Sequence, residues 1–214
     1  MENTNTPLNF WSQVWQDGTI RFHQNVYNQQ MVSKFRNADL KNKTVLIPLA
    51  GKTRDILFFL EKGAIVTAIE FVEQAAIEFF TENKIPFTKE NNIYRAENLT
   101  FIISDFFKYT TKAKFDVMYD RASQVVFAPE DRPEYYQHMS TLIDSHTDLL
   151  VGAIYHQGPA GFGPPHKISP EEVTTAYKKM GIHLKSFAEQ TNTTNEKLQA
   201  LGVSTMTSYY LTNH

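Results

Sequence analysis

The stretch TVLIPLAGKTRDILFFLEKGAIVTAIE, residues 44–70, decides the fold. A short apolar run at residues 45–48 leads into a turn that contains Gly51, and a helix-spaced apolar stripe follows. After Gly63 a second apolar run, residues 65–69, stops at Glu70. An apolar period near 3.6 between two strand-like runs is typical of a βαβ unit. Ligands of open α/β sheets bind where the carboxyl ends of the strands meet such turns.

The turn itself narrows the choice of ligand. Gly51, Lys52 and Thr53 imitate the end of a P-loop, but Leu46 stands where that motif needs an earlier glycine. The three-glycine dinucleotide fingerprint is also absent, because Gly51 is the only glycine of the turn. Glu70, 19 residues after Gly51, can accept two hydrogen bonds from ribose hydroxyls. The pattern favours S-adenosylmethionine over NAD or a nucleoside triphosphate, with a purely structural βαβ unit as the alternative.

Length and composition favour a small-molecule ligand. A chain of 214 residues is expected to form a single domain, residues 1–214. Its 21 basic and 23 acidic residues are interspersed, so we expect neither a nucleic acid nor a membrane as partner. The absence of cysteine excludes disulfides, thiolate metal sites and a cysteine nucleophile. The first residues lack a signal-peptide pattern and no apolar run approaches a membrane span. We expect a cytoplasmic monomer.

Polar residues follow three successive predicted strands. Glu70 ends the second strand, Ser104 and Asp105 end the third, and Asp120 and Arg121 end the fourth. This recurrence predicts a ligand cleft at one edge of a parallel sheet. For any single strand, contact with solvent explains a polar end equally well.

The remaining patterns predict a Rossmann-like α/β fold. We expect a seven-stranded, mostly parallel sheet flanked by helices, with a reversed C-terminal hairpin at residues 183–187 and 203–211. Residues 84–97 suit an edge hairpin, and helices are predicted near 73–83, 129–142 and 169–180. Residues 10–38 are predicted to form a helical cover on the sheet or a lid over the cofactor, and residues 44–214 the core. The glycine- and proline-rich residues 157–170 are expected to form a stiff wall beside the cleft.

The sequence contains few candidates for catalytic side chains. None of the seven histidines has the HExxH or HxxxH spacing, so no metal is expected, and no GxSxG elbow is present. The nucleophile is therefore expected to belong to the substrate. The protein would align it and exclude water, and a cation would hold an anionic acceptor. Arg121 is the best candidate for that cation, with Lys197 and Arg132 as weaker ones.

Several motifs, taken together, resemble the thiopurine S-methyltransferase family, in order and at similar spacing. The resemblance covers nearly the whole chain, from about residue 10 to residue 211. The motifs that carry it are WSQVWQDGTIRFH, IPLAGKTRDILFFLEKGAIVTAIEF, SDFF, YDRASQVVFAPEDRPEYY and GPPHKIS.

The resemblance implies which residues bind S-adenosylmethionine. Two tryptophans would pack over the cofactor, the first turn would lie beneath its methionine moiety, an acid would bind its ribose, and a serine–aspartate pair would border its adenine. In that order these residues are Trp11 and Trp15, Leu49 and Gly51, Glu70, and Ser104 with Asp105.

The resemblance also implies an acceptor pocket. Arg121 would sit where the cofactor and acceptor pockets meet, both as a cofactor-binding residue and as the catalytic residue. The other residues expected in the pocket are His23, Gly163, Pro164, Pro165, His166 and Lys197.

The sequence departs from the family at three positions. Ala50 replaces a common cysteine, a change between small residues that should leave cofactor binding intact. His166 replaces an aromatic residue, which makes the pocket more polar. Lys197 replaces an arginine and so loses a bidentate fork.

The implied activity is methyl transfer by in-line displacement from S-adenosylmethionine to a small thiol or other soft nucleophile, which leaves S-adenosylhomocysteine. Two alternatives stay open. The acceptor could instead be a halide, thiocyanate, a selenium or tellurium compound, or an oxygen nucleophile, or the protein could bind S-adenosylmethionine without catalysis.

Overall fold

The computed structural model describes residues 7–18, 20, 23–121, 123–159 and 161–214. It divides into two units, Met1–Tyr109 and Thr110–His214. The single domain, the division into a lid and a core, and the monomer stay predictions. Residues 19, 21 and 22 of the predicted lid lie outside the described residues.

The first unit contains the predicted βαβ element. β1, β2 and β5 are parallel, and β4 runs antiparallel to both β5 and β3, which gives the order β3-β4-β5-β2-β1. The β3–β4 pair is the predicted edge hairpin. The elements are α1 (Pro7–Gln16), α2 (Gln29–Phe35), β1 (Thr44–Ile47), α3 (Asp55–Glu61), β2 (Ile65–Glu70), α4 (Glu73–Glu82), β3 (Thr88–Glu90), β4 (Ile93–Ala96), β5 (Leu99–Ile103) and a short 3-10 helix (Phe106–Lys108).

Apolar burial explains why these residues form strands and helices. β1 and β2 are apolar and largely buried, as is typical of parallel strands covered on both faces. The helix-spaced residues Ile56 and Phe59 of α3 are fully buried, and the Phe59 ring centroid lies 5.5 Å from that of Phe35 on α2. In the sheet register Ile47 pairs with Ala68, and Glu70 pairs with Ile103. The carboxyl ends of β1, β2 and β5 are therefore nearly level.

The second unit contains the predicted reversed hairpin. β6 and β7 are parallel, and β9 runs antiparallel to both β7 and β8, in the order β6-β7-β9-β8. The elements are β6 (Val117–Asp120), a short 3-10 helix (Gln124–Val126), α5 (Arg132–Leu142), β7 (Asp148–His156), α6 (Pro170–Lys179), β8 (Lys185–Thr193), α7 (Glu196–Ala200) and β9 (Thr205–Thr212).

Most of the predicted elements of the second unit are confirmed. α5 has a proline in its first turn, and α6 begins as predicted, with the Ser169 hydroxyl accepting a hydrogen bond from the Glu172 N–H at 3.2 Å. The α/β fold class is confirmed, and all seven predicted strands are present. The β3–β4 hairpin brings the strands in the described residues to nine. The short helix α7 was not predicted.

The helices in the described ranges are all too short or too polar to cross a bilayer.

Candidate active site

The turn after β1 has an unusual backbone. Gly51 has a φ of 53° and Leu49 a φ of 44°. Glycine adopts this left-handed conformation easily, but leucine does so rarely, and such strain concentrates at functional sites. The Ala50 N–H donates to the Ile69 carbonyl at 2.9 Å, which fixes the turn against β2. The two residues with positive φ are those that the resemblance placed in the cofactor turn, and of the two only Leu49 is strained.

Glu70 joins the ends of three strands. Its Oε2 accepts the Gly51 N–H at 2.8 Å, and its Oε1 accepts the N–H groups of Phe71 and Val72 at 2.7 and 2.9 Å. Its carbonyl accepts the Ser104 N–H at 2.8 Å. We call these five residues the Glu70 cluster. The structure thus brings together Gly51, Glu70 and Ser104, as the strand-end pattern predicted.

The carboxylate of Glu70 has limited capacity for a ligand. A carboxylate offers about four acceptor positions, and backbone N–H groups occupy three of them. The sequence suggested two hydrogen bonds from ribose, whereas the geometry leaves room for one, at Oε2. Burial raises the pKa of Glu70 above its ordinary value, although the three N–H groups act to lower it. The ionised form therefore depends on those backbone bonds.

The two residues after β5 stabilise their own loop. The Ser104 hydroxyl donates to the Asp105 carbonyl at 3.0 Å, and the Asp105 carboxylate accepts the Phe107 N–H at 3.1 Å, which caps a short 3-10 helix. Phe71, which sequence reasoning missed, is 37% exposed beside Glu70. An aromatic residue directly after the strand-end acid was the signal that could have identified it.

Three residues of the predicted site lie in the N-terminal part of the chain. Trp11 and Trp15 lie four residues apart on α1, hence on one face of the helix. Trp15 is 2% exposed, and Trp11 is half-buried with its ring edge-on to Phe10 at 5.2 Å. The His23 Nε2 lies 3.1 Å from the Asn25 Oδ1. Their contacts with cofactor or acceptor stay predictions.

The turn fits an adenosyl group better than a phosphate group. The Glu70 cluster offers one acceptor position for a hydroxyl and an exposed aromatic ring at Phe71. The neighbouring turn adds the half-buried side chain of Leu49. The Lys52 ammonium, which imitates a P-loop lysine, lies 2.8 Å from Glu78 and 2.6 Å from Glu82. With its charge paired, the P-loop resemblance has no support in the geometry.

Arg121 follows β6 in the second unit and is half-buried. Its backbone carbonyl lies against Gly152 of β7, where a Cβ atom would come within 2.1 Å of the Arg121 oxygen. Only glycine allows this approach without a shift. The backbone of the residue that was predicted to be catalytic is thus packed directly on the neighbouring strand.

The loop after β7 is held by a histidine that sequence reasoning missed. His156 is 1% exposed, and its Nδ1 accepts the Gly158 N–H at 3.2 Å. Nε2 therefore carries the proton and donates to the Pro165 carbonyl at 3.1 Å. Burial lowers the pKa of His156 below its ordinary value. Its position at the buried end of a strand, before the glycine- and proline-rich loop, was the available signal.

The GPP motif and His166 pack on each other. The Gly163–Pro164 and Pro164–Pro165 peptide bonds are cis. A Cβ atom at Gly163 would lie 2.3 Å from the His166 Nδ1, so the ring occupies the space beside this glycine. The His166 N–H donates to the Val125 carbonyl at 2.7 Å. The predicted residues 163–166 therefore form one packed segment.

His166 also lines a cavity of about 300 Å³. Burial and then the nearby Arg132 guanidinium lower the pKa of His166. Its ring is thus a polar, uncharged surface near neutral pH. The cavity is lined by Pro129, Arg132, Tyr155, His166, Lys167, Ser169 and Glu172.

The two weaker candidates for an anion-holding cation differ in the structure. Arg132 is buried, and its guanidinium binds the Glu172 carboxylate at 2.7 Å and the carbonyls of Lys167 and Phe127 at 2.8 and 3.3 Å. Three of its five N–H donors are bonded within the protein, and its suggested role with the acceptor stays a prediction. Lys197 lies exposed on α7, and its role stays a prediction.

Solved structures show which known fold the chain shares. The chain matches the 1,6-didemethyltoxoflavin-N1-methyltransferase of Burkholderia thailandensis, solved with S-adenosylhomocysteine, at 15% identity and a TM-score of 0.64, over 97% of this chain and 87% of that one. It also matches the magnesium protoporphyrin IX methyltransferase of Synechocystis PCC 6803, solved with bound SAM, at 11% identity and a TM-score of 0.65 over the full length of both. The fold is that of the Rossmann-like S-adenosylmethionine-dependent methyltransferases.

Sequence comparison identifies the family. Residues 6–213 match the model of the family Thiopurine S-methyltransferase (TPMT). A thiopurine S-methyltransferase of Legionella pneumophila (strain Paris) is 29% identical over 209 residues, 94% of each chain. The chain belongs to the thiopurine S-methyltransferase family, and it is an enzyme that uses S-adenosylmethionine for methylation. The predicted family, class of enzyme and cofactor are confirmed.

Proposed function

We propose that this enzyme methylates a small thiol or another soft nucleophile. The observation that carries the proposal is the family match over residues 6–213, which includes the DR pair at Asp120–Arg121 and the GPP motif at residues 163–165. The relatives matched are named for methylation at sulfur. A sulfur acceptor also agrees with the scarcity of protein bases, since an acidic thiol ionises near neutral pH without one.

The Glu70 cluster supplies the donor side of the proposed reaction. Glu70 accepts a ribose hydroxyl at its remaining Oε2 position, and the strained turn at Leu49 and Gly51 supports the methionine moiety. Ser104 and Asp105 border the adenine, and Trp11 and Trp15 exclude water. S-adenosylmethionine supplies a sulfonium methyl group, so that the acceptor's electron pair forms the new bond as the carbon–sulfonium bond breaks and S-adenosylhomocysteine leaves.

Arg121 holds the acceptor in its anionic form in this proposal. A guanidinium stays charged at every working pH and binds anions through directed N–H donors. The neutral His166 ring and the GPP segment add no charge of their own to the wall of the acceptor pocket. In the pattern that the sequence resembles, an aromatic residue and an arginine stand at the positions of His166 and Lys197, and we expect these two changes to shift the choice of acceptor.

An acceptor panel tests the proposal. Purified protein is given S-adenosylmethionine with thiols, halides, thiocyanate, a selenol and phenols, and the release of S-adenosylhomocysteine is measured. Turnover is expected to be fastest with thiols of low pKa. Faster turnover with halides or phenols would contradict the sulfur acceptor. Calorimetry with S-adenosylhomocysteine measures cofactor binding separately from turnover. Binding of this ligand without turnover on any acceptor would indicate that the protein is not catalytic.

A further inference from the structure

A buried carboxylate lies directly before Arg121. Asp120, the last residue of β6, is 0% exposed. Its Oδ1 accepts the Ser123 N–H at 2.8 Å and the Ser123 hydroxyl at 2.5 Å, and its Oδ2 accepts the Tyr135 hydroxyl from α5 at 2.6 Å. Three donors on one side chain suit the ionised form. A buried charge of this kind is costly unless it is well paired.

Gln124 extends this arrangement to β7. Its side-chain amide N–H donates to the Gly152 carbonyl at 2.6 Å, and its Oε1 accepts the Tyr136 hydroxyl at 2.8 Å. Gln124 is fully buried. We call Asp120, Ser123, Gln124, Tyr135 and Tyr136 the Asp120 cluster. Two adjacent tyrosines of α5 thus bind the two ends of the segment that contains Arg121.

The segment is also fixed from other sides. The close approach of Gly152 to the Arg121 carbonyl leaves no room for the backbone to move toward β7. Beyond Gln124, the Val125 carbonyl accepts a hydrogen bond at 2.7 Å from the N–H of His166, in the loop after β7. The same short segment therefore connects Arg121, the helix α5 and the loop with the GPP motif.

We propose that the Asp120 cluster positions Arg121 for the acceptor, with Tyr135 and Tyr136 as positioning residues that do not touch the substrate. The inference rests on the proposed role of Arg121 as the cation that holds the acceptor anion. A displacement of about 1 Å at such a group can cost about 100-fold in rate. A hydroxyl that binds a side chain on each side of Arg121 therefore affects the reaction without contact with the substrate.

The structure provides a matched control for this proposal. Tyr177 of α6 is also fully buried, and its ring centroid lies 6.0 Å from that of Tyr136. Across the described ranges its hydroxyl has no hydrogen-bond partner. Tyr135 and Tyr177 are fully buried and Tyr136 is half-buried. Tyr135→Phe, Tyr136→Phe and Tyr177→Phe each remove one hydroxyl, but only the first two remove a hydrogen bond of the cluster.

The experiment measures how strongly the enzyme prefers an anion at the acceptor site. Two unreactive competitors of the same aryl skeleton, a sulfonate and an uncharged sulfonamide, are compared by the ratio of their inhibition constants. Tyr135→Phe and Tyr136→Phe are expected to reduce the preference for the sulfonate about 10-fold and to lower kcat. The dissociation constant of S-adenosylhomocysteine should change less than about 2-fold, since these variants leave the hydrogen bonds of the Glu70 cluster intact. Tyr177→Phe should leave all three quantities unchanged.

Arg121→Ala separates the inference from the function on which it rests. If Arg121→Ala leaves the preference for the sulfonate unchanged, Arg121 does not hold the anion. Its proposed role and the positioning role of the tyrosines are then both overturned. If Arg121→Ala abolishes the preference while Tyr135→Phe and Tyr136→Phe retain it, only the positioning role is overturned. Should Tyr135→Phe fail to fold, Tyr136→Phe alone decides, because its hydroxyl does not contact the buried charge.

Discussion

The carboxylates that end β2 and β6 are held in different ways. Glu70 is bound by three backbone N–H groups, two of them from the next two residues of the chain. Asp120 is bound by one backbone N–H and by the hydroxyls of Ser123 and Tyr135, the last of which comes from a helix 15 residues away. Backbone donors exist whatever the sequence, whereas hydroxyl donors must be placed by packing. The Glu70 cluster is therefore specified by a turn, and the Asp120 cluster by a helix.

The two carboxylates also differ in what they offer a ligand. Glu70 retains one acceptor position and is 8% exposed, while Asp120 is fully buried. We infer that Glu70 contacts the donor directly and that Asp120 acts through Arg121. Substitutions that break one cluster should accordingly change donor affinity, and those that break the other should change turnover.

The largest effect is expected from Glu70→Ala. Three N–H groups would lose their acceptor, which should lower the free energy of unfolding by about 3 kcal/mol. S-adenosylhomocysteine should bind more weakly by roughly 1–3 kcal/mol, through the lost ribose contact and the loosened turn. Urea unfolding and calorimetry measure the two quantities.

Glu97→Ala is the control for that experiment. Glu97 carries the same charge in the same unit but is exposed in the turn between β4 and β5. It should change neither quantity by more than about 0.5 kcal/mol. An unchanged affinity for S-adenosylhomocysteine in Glu70→Ala would remove Glu70 from the donor site.

A smaller effect is expected from Gly152→Ala, which tests the Asp120 cluster. The added Cβ would meet the Arg121 carbonyl oxygen at 2.1 Å, so the strand or the Arg121 segment must shift. Overpacking of this kind costs about 2 kcal/mol of the free energy of unfolding. Turnover should fall while the affinity for S-adenosylhomocysteine changes little, which steady-state kinetics and calorimetry would show. A loss of affinity equal to the loss of turnover would contradict the separation of the two clusters.

His156→Gln should change how stability depends on pH. The native pKa of His156 is lowered by burial, so between that pKa and about 6.5 the unfolded chain binds more protons than the native one. The free energy of unfolding should therefore rise with pH across this window and level off above it. The amide of glutamine can replace both hydrogen bonds without titrating, so the variant should have a shallower slope.

Urea unfolding from about pH 5 to pH 8 would show this difference. His166, whose pKa is lowered in the same direction, should maintain part of the slope in the variant. An identical slope in wild type and variant would mean that the His156 proton does not contribute.

The first cluster could be predicted from sequence because its parts follow in chain order. The apolar runs, Gly51 and the acid 19 residues later are enough to predict a strand, a turn and an acid that lie together. That a ligand binds there stays a prediction. The number of hydrogen bonds that the Glu70 carboxylate accepts could not be predicted, because it depends on the backbone angles of the turn. The strain at Leu49 likewise has no signal in the letters of the sequence.

The second cluster was largely hidden from sequence analysis. Asp120 was noted as a strand end, but nothing in the sequence shows that Tyr135 points toward it. His156 was missed for the same reason, because its partners Gly158 and Pro165 are brought to it by the loop. The pairing of Arg132 with Glu172, 40 residues later, was equally hidden, since it depends on how α5 and α6 pack.

The smallest effect is expected from Lys52→Met, which tests where the first cluster ends. The Lys52 ammonium is paired with Glu78 and Glu82, and although burial acts to lower its pKa, these hydrogen bonds raise it. Both partners are partly exposed, so the pairs should contribute less than about 1 kcal/mol to the free energy of unfolding. The affinity for S-adenosylmethionine should match that of the wild type and of Lys112→Met, a control at an exposed lysine. A 10-fold weaker affinity in Lys52→Met alone would place this lysine in the donor site and would extend the cluster beyond Gly51.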